Sequence, residues 1–83
     1  MTNEDVAELL KTTLSLHEII VKSEGSHYQI IAIDDQFDTM SRVKKQQMIY
    51  APLSDKIADG TMHAITIKTF TVAQWQREKM FNS

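Results

Sequence analysis

The strongest constraint on how this chain can fold is the position of its third β-like segment. Two runs rich in β-branched residues, His17 to Lys22 and His27 to Asp34, flank the loop-forming Ser23-Glu24-Gly25-Ser26, and this spacing predicts a hairpin. The third run, Met62-His63-Ala64-Ile65-Thr66-Ile67-Lys68-Thr69, has a strand's alternation but comes only after two helical segments. A strand that rejoins a sheet through helices is usually parallel to its neighbour, by a right-handed crossover. The expected fold class is therefore α+β, in the order α-β-β-α-α-β-α, with helices packed on a three-stranded mixed sheet.

The helices follow from caps and stripes. Thr2 with Asp5 makes a capping-box pattern, Glu4 and Asp5 suit a helix start, and Val6, Leu9, Leu10, Thr13 and Leu14 form one stripe, so a helix is expected over Thr2 to Leu14. Ser41 can cap a helix from Arg42 to about Tyr50. Pro52 resists continuing it but suits the first turn of a new helix, expected from Pro52 to Ala58 and ended by Asp59-Gly60. Thr71, with Gln74 as its partner, caps a terminal helix whose apolar positions are Val72, Trp75 and Met80. Phe37, alone in a polar connection, is expected to plug the core from a loop, and Trp75 to anchor it.

At 83 residues the expectation is one domain, residues 1–83, of a size that buries only about 60% of its unfolded surface. A catalytic cleft with supporting residues is hard to fit into that volume. The chain has no cysteine, which excludes disulfides, thiol catalysis and any Cys-ligated metal site of its own. A net charge of −2 provides no global attraction to nucleic acid or anionic membrane. Neither a signal-peptide pattern nor an apolar run near the roughly 20 residues of a membrane span is present, so the default expectation is a cytoplasmic protein without membrane association.

Among chemistry-bearing residues, His63 stands out. Strand alternation puts it on the face of Ile65 and Ile67, an imidazole at the end of an apolar row. By itself such a residue is more often a core or edge histidine than a ligand. His27 begins the second strand, and parallel pairing would bring it to the same sheet end as His63. His17 reads as an exposed strand-start residue. The basic residues Arg42, Lys44, Lys45, Lys56 and Lys68 are most simply a solvated surface. There is no nucleophile elbow, phosphate loop or diagnostic carboxylate pair, and Asp34-Asp35 is explained by loop polarity. No Gly-x-x-Gly clamp supports nucleic-acid binding of the KH type.

The residues Phe37-Asp38-Thr39-Met40-Ser41-Arg42-Val43-Lys44-Lys45-Gln46-Gln47-Met48-Ile49-Tyr50-Ala51-Pro52-Leu53, with Met62 through Thr69, Thr71 through Trp75 and the hairpin's Gly25-Ser26-His27-Tyr28-Gln29, strongly resemble the BolA-like family, in its short bacterial branch. The resemblance covers nearly the whole chain and implies a fold related to class II KH domains. It also implies a non-enzymatic adaptor that binds a monothiol glutaredoxin and shares a [2Fe–2S] cluster with it, acting in iron–sulfur trafficking, iron homeostasis and stress responses. Glutathione would arrive with the glutaredoxin, and the isolated chain would carry no cofactor.

His63 matches the family's ligand histidine. The second ligand is commonly a Cys or His in the loop between the first two strands, where this chain has Glu24, and His27 is nominated as the nearest imidazole. Thr39 stands where the family commonly has Gly, and Lys45-Gln46-Gln47 replaces a more basic triplet, which weakens any transfer of DNA binding. Lys44, Lys45 and Lys68 are expected to help dock an acidic partner face. The alternative is a nucleic-acid-binding transcriptional regulator using the helix 42–50, and the free chain's self-association as a homodimer stays open.

Overall fold

The computed structural model describes residues 2–82. Its main elements are α1 (Asn3–Leu14), β1 (Glu18–Glu24), β2 (His27–Ile33), α2 (Arg42–Tyr50), α3 (Ser54–Ala58), β3 (Ala64–Phe70) and α4 (Val72–Asn82). The sheet order is β1-β2-β3, with β1 antiparallel and β3 parallel to β2, so the mixed sheet and the element order are as expected.

The starts of α1, α2 and α4 are held as their sequences imply. The Thr2 hydroxyl accepts from the Asp5 N–H at 3.1 Å while the Asp5 carboxylate accepts from the Thr2 N–H at 3.0 Å. The Ser41 hydroxyl accepts from the Lys44 N–H at 3.2 Å. Thr71 and Gln74 cap α4 reciprocally at 2.9 and 3.2 Å. Each cap satisfies an amide that has no partner within its own helix. α1 ends at Ser15, in the left-handed region at φ 54°, and the reversal delivers Leu16 to the core.

The core lies between the helices and one sheet face. Val6 and Leu10 of α1, Ile49 of α2, and Leu53 and Met62 from the crossover pack with Ile30 and Ala32 of β2, and Phe37 enters from a 3-10 turn at Asp35–Thr39. Thr13, placed in the apolar stripe of α1 by periodicity, faces outward. The opposite sheet face carries Ile31 and Ile33, and there Phe70 meets Trp75 of α4 with ring centroids 5.5 Å apart. Trp75 thus anchors α4 to β3 but is not part of the main core. Met80, expected as an apolar contact of α4, is 77% exposed.

Several boundaries differ from expectation, the end of β2 at Ile33 and of β3 at Phe70 among them. The hairpin loop is only Gly25-Ser26, with Gly25 at φ 61°, because a two-residue turn with a first residue of positive φ matches the strands' right-handed twist. β1 consequently runs on to Glu24, and its other end is set by the Glu18–Ile33 pair, which leaves His17 outside the strand. The expected Pro52 to Ala58 helix divides into a 3-10 turn, Ala51–Leu53, and α3, with Pro52 in the tighter first part. β3 begins at Ala64, leaving Met62 and His63 outside it.

Asp34 and Asp35 do more than supply loop polarity. The Asp34 carboxylate accepts from Gln36 N–H and His17 N–H, both at 2.9 Å, tying the end of β2 to the start of β1. The Asp35 carboxylate accepts from Val72 N–H at 3.0 Å, 37 residues away, and fastens the start of α4.

Truncating Phe37 to Ala should cost about 3–5 kcal/mol, a large share of the ~5–15 kcal/mol typical of a domain. Urea unfolding would show this as a lower midpoint with an unchanged slope. Asp35→Ala should instead loosen α4 locally. Trp75 emission should shift to the red while the thermal midpoint falls by about 5 °C or less.

Candidate functional site

The two candidate histidines meet at one end of the sheet because β2 and β3 run in the same direction. His27 opens β2, pairing with Glu24 across the hairpin and with Ala64 across the parallel ladder. The Ser26 carbonyl accepts from both His63 N–H at 2.9 Å and Ala64 N–H at 3.3 Å, so one turn residue anchors the chain on either side of the His63–Ala64 peptide.

The approach to His63 is also pinned. α3 ends at Asp59, Gly60 takes φ 84°, and the Asp59 carboxylate accepts from Thr61 N–H at 2.8 Å. Met62 then donates its N–H to the Lys56 carbonyl at 3.1 Å and buries its side chain, 2% exposed. His63 itself is exposed. It therefore does not occupy the buried-parity position expected from alternation. Met62, one residue earlier and outside the strand, enters the core instead. The result is an imidazole on a constrained main chain with its ring in solvent.

His27 is exposed too and lines a shallow groove of about 320 Å³ with Lys22, Glu24, Gln29 and Thr66 among its neighbours. His63 does not line that groove, so the fold brings the two rings to one sheet end without enclosing them in one pocket. Among the described residues neither imidazole has a hydrogen bond or ion pair from its side chain. Each is free to offer a nitrogen lone pair when neutral. No group of three or more His, Asp or Glu side chains able to hold a metal ion exists among the described residues. This donor set fits a ligand only as part of a site completed from elsewhere.

The basic residues separate into two sets. Lys45 and Lys68 line a second groove with Arg42, Gln46, Ile67, Thr69 and Phe70, between the start of α2 and β3. Lys44 is exposed and does not line it. Arg42 was counted in the basic run but not among the expected partner-binding residues. Its place in the groove follows from the helix spacing of Arg42, Lys45 and Gln46, three and four residues apart on one face.

The element order, the sheet and the surface-exposed histidine end define a small α+β domain with the architecture of a BolA fold. The family model described as BolA-like protein matches residues 7–74, and the chain belongs to the BolA-like family. Acid stress protein IbaG of Escherichia coli (strain K12) is 48% identical over 82 residues, covering 99% of this chain and 98% of that protein. Among solved structures, the BolA domain of SufE1 from Arabidopsis thaliana superposes with a TM-score of 0.72 at 26% identity, covering 86% of this chain and 92% of that one. BolA1 from Mus musculus gives a TM-score of 0.80 at 22% identity, covering 93% of this chain and 70% of that one, a likeness of fold. No helix among the described residues is long and apolar enough to cross a membrane.

The turn before His63 has its own acid dependence. Hydrogen bonds from the Thr61 side chain and then its N–H hold the Asp59 carboxyl below its ordinary value, with a smaller contribution from Lys56. A folded-state pKa below the unfolded one stabilises the fold above the unfolded value, and that contribution is lost as pH falls through the folded value. Wild type should therefore exceed Asp59→Ala in stability at neutral pH. Chemical unfolding from pH 7 down to pH 2 should show the gap closing at the acid end.

Proposed function

We propose that this chain is a non-enzymatic adaptor of the cytoplasm that binds a monothiol glutaredoxin and holds one side of a shared [2Fe–2S] cluster. His63 supplies a ligand and His27 the second, while the glutaredoxin and its glutathione supply thiolates. The observation that carries this reading is the His63 arrangement: a solvent-exposed imidazole without a side-chain partner, on a main chain anchored through Ser26 and the buried Met62. The cysteine-free sequence supports a half-site over a self-contained one. Imidazole ligation in place of thiolate raises a cluster's potential and makes its retention sensitive to protons.

The role proposed is in iron–sulfur trafficking and iron homeostasis, with a link to stress. The name of the Escherichia coli relative, an acid stress protein, supports the stress connection. A histidine-held cluster would also weaken as pH falls through the imidazole range, because the protonated ring has no lone pair to give.

Co-expression with a monothiol glutaredoxin tests the assignment. The wild-type complex should carry a visible-region absorbance and circular dichroism spectrum that His63→Ala changes or abolishes, with His27→Ala producing a separate change. A heterodimer of His63→Ala with an unchanged cluster spectrum would remove His63 from the ligand set.

A further inference from the structure

β3 lies at the edge of the sheet, and its outer side has no strand beside it among the described residues. In a parallel ladder alternate residues direct their main-chain groups to the neighbour. Ala64 N–H donates to Ser26, and the Phe70 carbonyl accepts from Asp34 N–H, so the even-numbered residues of β3 are the ones turned towards β2. The N–H and C=O groups of Ile65, Ile67 and Thr69 therefore face the open edge. Along this edge runs the groove of about 430 Å³ that contains Arg42, Lys45 and Lys68. Among the described residues none of these three cations has an ion-pair partner.

We propose that this edge takes an acidic, extended segment of a partner protein, added to β3 as a fourth strand. Open main-chain groups alone would accept many strands, and charge selects among them. A second copy pairing β3 against β3 would bring two sets of Arg42, Lys45 and Lys68 together, a like-charge contact that opposes self-association there. An acidic strand meets the reverse situation. Its side chains alternate between faces, so those on the face of Ile67 and Thr69 approach Arg42 and Lys45, and those on the other approach Lys68. The chain carries a net charge of −2, so the attraction is local to this groove.

Phosphates of a nucleic acid would meet the same cations, but they only accept hydrogen bonds. The alternating donors and acceptors at Ile65, Ile67 and Thr69 match a peptide backbone. The surface is separate from the histidine end, and the proposal does not rest on cluster binding.

The probe is a blocked octapeptide repeating Glu-Glu-Thr-Thr, which presents carboxylates on both faces of a strand, added at low salt to the isotopically labelled full chain. Amide resonances of Ile65, Ile67 and Thr69 should shift and their hydrogen exchange should slow. The Lys45→Glu/Lys68→Glu double variant should bind about tenfold more weakly or worse. Arg42→Gln/Lys68→Gln, a milder change, should weaken binding in the same direction, and a dispersed amide spectrum checks that each variant is folded. The same peptide with every backbone nitrogen methylated keeps its charge but has no donors, and it should bind distinctly less well. Equal binding by the methylated peptide, unmoved amides at the three edge residues, or tighter binding of a single-stranded oligonucleotide of equal charge through Arg42, Lys45 and Lys68 would each overturn the proposal.

Discussion

Parallel pairing of β3 with β2 is the constraint on which the rest of this structure depends. It requires the chain after β2 to travel back along the sheet before β3 can begin, and α2 and α3 make that journey, with Ile49 of α2 and Leu53 joining α1 over one sheet face. The same pairing brings the starts of both strands to one end, where Ser26 holds the backbone at His63 and Ala64. It also leaves β3 at an edge, next to the first turn of α2, so the basic groove and the histidine end are two consequences of a single ladder.

A small domain with a limited core depends on how its loops are tied. The connection after β2 carries three such ties: Asp34 to the start of β1, Asp35 to the start of α4, and the Gln36 side chain to the Leu14 carbonyl at 3.3 Å. Phe37, 3% exposed, adds the apolar anchor. Four consecutive residues thus connect parts of the chain that are distant in sequence. Their polar bonds are near the surface, where each contributes modestly, whereas Phe37 contributes through complete burial.

Much of this fold was legible because local rules and tertiary packing agree. Thr2 with Asp5, Ser41, and Thr71 with Gln74 mark helix starts by chemistry that works within three residues, and the structure uses all of them. The strands were recognisable from β-branched residues, and the crossover from the helices between them. Misplaced boundaries arose where a local pattern continued past the point of pairing. His17 lies before the first ladder pair, Glu18 with Ile33, and Met62 and His63 precede the pairing of Ala64 with His27.

For the candidate site, the sequence by itself determined which donors exist: three histidines, no cysteine, and a run of basic residues at the start of α2. It also determined that His27 and His63 open strands that can share a sheet end, because element order restricts how the strands can connect. Only the tertiary structure decided that Met62 turns inward while His63 remains in solvent, since this depends on the turn from Asp59 to Met62 and not on strand alternation. Likewise, only packing decided that Arg42, Lys45 and Lys68 line one groove while Lys44 stands outside it. Side-chain periodicity is a property of one element, but a site is made where elements meet, and their meeting is set by the shared core.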